Sequence, residues 1–557
     1  MHPSFFSFFN RGRNSTTVIV SGVLLAGWLV WRIVAGLSVD ATGAVSLTPM
    51  SAWGDWPAHL IMTTRMRFGE TLIPDQNPLL LGSTFSYPYA INLLSALLLK
   101  LQLPLFTAFI LPHAVSAVLF VALLALAYRW FFRSNLTAGL ALWIFFATGG
   151  LGFLHLETSP LLSFDQSQNL QWGALPYTLL IPQRSQMLGA VFGLFVLILG
   201  WKVIWNAGAT RQRILNSGIV GLALLATSIS HLHSALIVSG AVLYWIGLAA
   251  IWKWRGRQKL QSWFVGVMPM LIGALAALAT LLMRVGQSTV QSSLSWNIGW
   301  YADTFSEWLQ FWWNNWGVTP IMALVGLMLL VHSTKKLAII STAIYFCALF
   351  LLANIVQLQP YIWDTTKVLF WAAIGMSGLA GFSIVKLLGW ARQQSALKNR
   401  ALATTAVLIL LTSMVYAGTH DMVYLSSPQA GKPVLYTTEE VALANWVRAN
   451  TPADSIWLTG DRHNHWVSNL TGRQVLITYP GWLWSHGLNY ADQIESMRAV
   501  YQNPTSADIE TWGLTYAVIG EYEQNSLMAN KTLFAEHHSL IYETEHYTIY
   551  QLSRQQR

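Results

Sequence analysis

The sequence predicts a polytopic α-helical membrane protein that ends in a small α/β domain outside the membrane. Three observations predict it. Only 10% of the 557 residues are charged, against ~25% in ordinary soluble domains. Apolar runs of about 18 to 22 residues recur along the chain, each long enough to cross a ~30 Å hydrocarbon core. The charge also divides sharply. Residues 1–418 hold 24 Lys/Arg and 9 Asp/Glu, a net +15, while residues 419–557 hold 8 and 14, a net −6. The runs are apolar on every face rather than along one stripe, which excludes a large soluble helical protein. The division reads as a membrane part, 1–418, and a soluble tail, 419–557.

The elements follow in order. The first run, 16–36, comes after Arg11 and Arg13 and is longer than the apolar core of a signal peptide, so it reads as an uncleaved first span. A first outer loop follows over 37–104, with interfacial helices. Its apolar run 89–101 is only about 13 residues long, too short to cross, and reads as re-entrant or interfacial. Further spans are expected near 105–128, 135–153, 186–206, 214–231, 233–252, 263–284, 317–333, 337–354, 367–389 and 401–418, eleven in all with the first. The single cysteine, Cys347, falls inside one of them, which excludes an intrachain disulfide and a cysteine-based metal site.

Placing the N-terminus in the cytoplasm puts 17 of the 24 basic residues of the membrane part at the N-terminus or in inner loops: Arg129–Arg133, Lys202–Arg213, Lys253–Lys259, Lys335–Lys336 and Lys386–Arg400. The positive-inside rule is then obeyed throughout. All nine acids fall on the other side: Asp40, Asp55, Glu70, Asp75, Glu157, Asp165, Asp303, Glu307 and Asp364. An odd number of spans leaves the tail outside. In the tail, TEEVALANWVRANT (438–451) has helical periodicity and a Thr/Glu start signal. SIWL (455–458), QVLITY (474–479) and YAVIG (516–520) read as short buried strands. LFAEHHSLIYETEHYTIYQL (533–552) reads as a helix end and two strands. No glycine-rich loop follows a strand, so no dinucleotide site is expected. The partners expected are membrane lipids, not nucleic acid.

Several polar groups gather at the outer face. Asp55 and His59, in GDWPAHL, stand one helical turn apart. Gln183 and Arg184 open the fourth span. His231 and His233 form the turn SHLHS. Asp364 and Lys367 sit at the mouth of the tenth span, in YIWDTTK. A carboxylate there can accept a hydroxyl proton, and fixed cations can hold a phosphate leaving group. Each residue has a plainer role beside this one. Asp55 can be a helix N-cap, His59 an interfacial polar group, Arg184 a snorkelling cation, and Asp364–Lys367 an ion pair at a span end. The tail loop DRHNHW offers Asp461, His463 and His465, for an acceptor, a metal ion or structure alone. PGWLWSHG offers Trp482 and Trp484, for a sugar face or the headgroups. Trp53 and Trp56 suit the headgroup level, and Trp56 suits a sugar ring.

At GDWPAHL (54–60), NPLLLGSTFSYPYAINLLSALL (77–98), IPQRS (181–185), YIWDTTK (361–367) and LTGDRHNHWVSNLTGRQVLITYPGWLWSHG (458–487), the chain resembles the GT-C superfamily of integral-membrane glycosyltransferases. More closely, it resembles a poorly characterised bacterial group of that type. The resemblance implies a GT-C fold and a sugar taken from a polyprenyl-phosphate donor at the outer face of a bacterial inner membrane. Transfer to a glycan, lipid or protein acceptor would proceed with inversion. It makes Asp55 the base or a metal ligand, with His59 beside it. Gln183, Arg184 and Lys367 would hold the donor phosphate, and Arg184 and Lys367 would touch the same one. Trp56, His231, His233, Asp364 and the tail residues would hold substrate. Asp55 stands alone where some such families carry adjacent paired acids, so no cofactor is certain and a divalent metal is left open. Two other readings use the same chemistry of ligand: a polysaccharide polymerase or ligase, and a transporter or flippase of lipid-linked glycan.

Overall fold

Helix α1 (Thr16–Gly36) leads into a short hairpin, β1 (Leu37–Val39) and β2 (Val45–Leu47), and then into α2 (Ser51–Phe68) and α3 (Ala90–Lys100). The computed structural model describes residues 16–48, 51–154, 159–206, 208–256, 260–285, 295–334 and 336–552. Arg11, Arg13, Glu157, Arg257, Lys259 and Lys335, which entered the charge pattern, lie outside the described residues. The 11-residue α3 is about 16 Å long at ~1.5 Å per residue, half of what a crossing needs, and packs on α2 and on α4 (Leu105–Phe132).

Every expected span contains a helix. After α4 come α5 (Asn135–Ala147), α6 (Arg184–Trp205), α7 (Thr210–Ser230), α8 (Leu232–Arg255) and α9 (Leu260–Val285). The bundle is completed by α10 (Phe305–Trp316), α11 (Thr319–Ser333), α12 (Leu337–Ala353), α13 (Thr366–Arg392) and α14 (Leu397–Ser426). Among the described residues, eight helices are long and apolar enough to cross a membrane, or nine if α10 and α11 count as one broken span. Two expected spans changed shape. The run 135–153 stops being helical at Ala147, because Gly150 turns with φ +69° against α10; a Cβ there would lie 2.0 Å from the Asn314 carbonyl oxygen. The run 317–333 is preceded by amphipathic α10, which meets α11 at 89°.

Helix α13 is the core of the bundle, buried along most of its length between α5, α11, α12 and α14. Helices α7 and α9 cross on Gly221 and Gly273; a Cβ on Gly273 would lie 2.4 Å from the Gly221 Cα. Small residues permit this approach, and in lipid close packing drives helix association.

A two-stranded pair, β3 (Ser295–Trp296) with β4 (Val356–Gln357), ties the loops before α10 and after α12. Helix α14 runs on through residue 418, and the buried Asp421 near its end accepts the backbone N–H of Leu162 at 2.7 Å and of Ser163 at 2.8 Å. Strand β5 (Val434–Tyr436) then joins the first-loop hairpin in a sheet of order β1-β2-β5. The tail is an α/β domain. Its strands β6 (Ile456–Leu458), β7 (Gln474–Val475), β8 (Tyr516–Ile519), β9 (Ser539–Glu543) and β10 (Thr548–Gln551) lie in the order β7-β6-β8-β10-β9. Pairing is parallel at β7-β6-β8 and antiparallel at β8-β10-β9. Around them sit α15 (Thr438–Asn450), α16 (Trp466–Leu470), α17 (Pro480–Ser485) and α18 (Ala491–Gln502). Leu79, Leu80 and Leu81 of the first loop share one apolar core with Leu476, Ile477, Leu483 and Met497 of the tail. Thr64 and Arg65 of α2 donate to the Asn469 and Gly472 carbonyls. The tail is thus seated on the first loop, and this seating builds the site.

Candidate active site

Helix α2 starts at Ser51, so Asp55 sits inside the helix and is not its N-cap, as the Pro57 signal had allowed. The helix carries Asp55 and His59 into one polar cluster. Asp55 Oδ2 accepts a hydrogen bond from Gln183 Nε2 at 2.8 Å, just before α6. The carboxyl is half-buried. Burial pushes its pKa up to about 7; Lys367 pulls down, Asp364 adds to the rise, and the Gln183 bond pulls down. Asp364 and Lys367 form an ion pair at 2.9 Å, and Lys367 Nζ also donates to Gln359 Oε1 at 3.3 Å. His231 caps α8, its Nδ1 accepting from the Ser234 N–H at 3.3 Å, and its ring lies 5.5 Å from that of His233. His233 in turn lies in the field of Lys367 and Asp364.

Trp56 points the other way. It is fully buried, donates from Nε1 to the Ile181 carbonyl at 2.9 Å and packs edge-on against Phe109 and His113. It anchors the turn before α6 and presents no face to a sugar. Arg184 also departs from expectation. Its side chain is 0% exposed. Nη1 donates to Asn92 Oδ1 at 3.2 Å, Nη2 to Ser95 Oγ at 2.8 Å and to the Phe109 carbonyl, and the guanidinium lies 3.6 Å over the Phe109 ring. The expected phosphate contact is replaced by protein partners from α3 and α4.

These partners set His59. Asn92 Oδ1 receives Arg184 and therefore only accepts. His59 Nδ1, 3.1 Å away, must carry the proton toward it, which leaves Nε2 with its lone pair. Burial first, and Arg184 next, drive the His59 imidazolium well below its ordinary range. Two residues escaped sequence reasoning. The Tyr87 ring lies edge-on to His59 at 5.9 Å and tilted to His486 at 5.2 Å, and it feels Asp55, Asp364 and Arg184 together. His486 is pushed down to about 4, by burial and then by Lys367. Both stand in quoted segments, in SYPYA and WLWSHG.

The tail roofs this cluster. Trp482 Nε1 donates to the Gly54 carbonyl at 3.0 Å, next to Asp55. His463 lies 5.4 Å from Trp53 and 5.9 Å from Tyr479, ring to ring. Trp484 lies 5.7 Å from Tyr361, beside the Asp364 turn. Asp461 and His465 are not brought in. Asp461 accepts from Tyr522 at 2.6 Å; His465 bonds Glu523 at 3.3 Å, and this pair lines a separate polar cavity of about 390 Å3 within the tail. Among the described residues no three His, Cys, Asp or Glu side chains converge to hold a metal ion. With Asp364 held by Lys367, the donor set around Asp55 does not fit a divalent cation.

No protein-family model matches the chain, and no characterised protein matches it in sequence. Solved structures do match in fold. The apo crystal structure of the Archaeoglobus fulgidus oligosaccharyltransferase superposes with a TM-score of 0.55 at 12% identity, over 99% of this chain and 75% of that one. The archaeal oligosaccharyltransferase AglB from the same organism, in complex with an inhibitory peptide and a dolichol-phosphate, gives 0.54 at 11% identity, again over 99% and 75%. ArnT from Cupriavidus metallidurans bound to undecaprenyl phosphate gives 0.48 at 13% identity, over 96% of this chain and 98% of that one.

Proposed function

From a chain with the fold of the GT-C membrane glycosyltransferases, we propose a transferase that moves a sugar from a polyprenyl-phosphate-linked donor to an acceptor hydroxyl at the tail-covered end of the bundle. The observation that carries this is Asp55: a half-buried carboxyl lifted to about 7, facing a lysine and roofed by an aromatic segment. A base works best with a pKa near the working pH. Asp55 takes the acceptor proton as the hydroxyl oxygen attacks the anomeric carbon. The bond from that carbon to the phosphate oxygen breaks, and the configuration inverts. Lys367 stabilises the departing phosphate, with His231 and His233 beside it. Asp364 holds Lys367 in place until a phosphate takes its share of the ammonium. A site roofed at one end suits a transferase, whereas a flippase needs access from both ends. The basic turns favour a cytoplasmic N-terminus and an outward tail in a bacterial inner membrane.

The test is mass analysis of surface glycans and polyprenyl lipids in a deletion strain carrying either the native chain or Asp55→Asn. The expected result is a missing glycan and an accumulated polyprenyl-linked sugar. The native chain restores both, whereas a folded Asp55→Asn protein restores neither. Full restoration by Asp55→Asn removes Asp55 as base. A missing polymer with its monomeric unit intact favours the polymerase or ligase reading.

A further inference from the structure

The far end of the bundle holds a second cavity that the transfer chemistry does not use. It has a volume of about 530 Å3 and is lined by Trp130, Phe131, Arg133, Trp201, Trp205 and Lys336, among others. It shares Trp130, Phe131 and Trp201 with a deeper, almost wholly apolar cavity that reaches Phe346 and Leu379. Its distance from Asp55 follows from the helices. The Phe109 carbonyl that holds Arg184 lies in the first turns of the 28-residue α4, and Arg133 caps its last turn. At ~1.5 Å per residue the two ends are about 40 Å apart.

Charge and shape point to one kind of occupant. Arg133 and Lys336 line the mouth, and Lys202 lies 5.7 Å over the Trp130 ring. No carboxylate lines either cavity among the described residues. The tryptophans are of the kind that sits at headgroup level. Arg133 also holds a left-handed backbone, φ +54°, at a helix C-terminus where glycine is the favoured residue. The chain keeps a cation there against the local preference.

We propose that this cavity binds one anionic glycerophospholipid, its phosphate between Arg133 and Lys336 and its acyl chains on the Trp130–Trp201 face. A zwitterionic headgroup carries its own cation into a mouth with no acid to receive it, so phosphatidylcholine is disfavoured. Basic pockets between membrane helices recognise acidic headgroups in this way.

Native mass spectrometry of the full chain in detergent, supplied with phosphatidylglycerol or phosphatidylcholine, tests it. One retained phosphatidylglycerol is expected, in preference to phosphatidylcholine. Arg133→Gly suits the left-handed backbone, so its melting should be unchanged or raised while its preference falls about 5-fold, the equivalent of one cation at a membrane surface. Adding Lys336→Gln should remove the preference, whereas Lys398→Gln, an exposed cation at the same end, should leave it intact. Equal retention of both lipids by the native chain overturns the proposal, as does an undiminished preference in a folded Arg133→Gly protein.

Discussion

The two ends of the bundle handle charge in opposite ways. The acids of the membrane part fall in the α1–α4, α5–α6, α9–α11 and α12–α13 connections, and at the Asp55 end Lys367 is already paired with Asp364. The tail covers that end with Trp482, Trp484 and His486. At the other end Arg133, Lys202 and Lys336 gather, and among the described residues no acid lines their cavity. A compensated, crowded cluster can tune a proton, because each charge there answers to a neighbour. An uncompensated basic rim can only attract anions. If both proposals hold, the difference separates chemistry from lipid binding within one set of helices.

The largest break in this comparison comes from Asp55→Asn, with a loss of about 10²–10⁴-fold in transfer, the usual worth of a general base. Native activity should rise as pH passes through about 7, as Asp55 loses its proton. Stability should move the opposite way. The folded pKa lies above the unfolded value near 3.8, so the folded protein holds this proton more tightly and loses stability as pH rises from about 4 to 7. Asp55→Asn escapes that penalty. It should be more stable than the native protein at pH 8, by a few kcal/mol at most, and the gap should narrow as pH falls toward 4 in calorimetry.

Lys367→Gln comes next. One charge-assisted phosphate contact is worth ~1.5–3 kcal/mol, so kcat/KM should fall about 10- to 100-fold. Because Lys367 pulls the Asp55 pKa down, the rising limb of the pH profile should also shift to higher pH. A merely structural lysine would leave that limb in place. Trp482→Phe removes the N–H that reaches Gly54. Net loss of one hydrogen bond, ~0.5–1.5 kcal/mol, should raise acceptor KM about 2- to 10-fold and speed amide exchange over Pro480–Ser485. The smallest effect sharpens the comparison from the far side: Arg133→Gly should change turnover by less than about 2-fold, since sites so far apart act independently.

The broad plan could be read in the residues because lipid imposes it. Eleven apolar segments each became a helix, and the alternation of helix and strand in the tail survived as an α/β domain. What could not be read depends on distant partners. Arg184 looked like a phosphate ligand because its acceptors, Asn92, Ser95 and Phe109, lie 75 to 92 residues earlier. Trp56 looked like a sugar platform because nothing local reveals its bond to Ile181. Asp461 and His463 stand two residues apart, yet only His463 reaches the site rim, because the loop turns between them. Asp55, Gln183, Asp364 and Lys367 lie together, since helix ends on one surface share a plane, whereas His59, one turn on from Asp55, bonds Asn92 of α3.

The burial of Arg184 has a consequence for how the chain is made. A cation with no exposed surface must find its acceptors or carry a cost of several kcal/mol in lipid. Asn92, Ser95 and Phe109 all leave the ribosome before Arg184 does, so its acceptors are synthesised before the charge arrives. Were α6 to enter the membrane before α3 and α4, its guanidinium would go in with no acceptor to meet it.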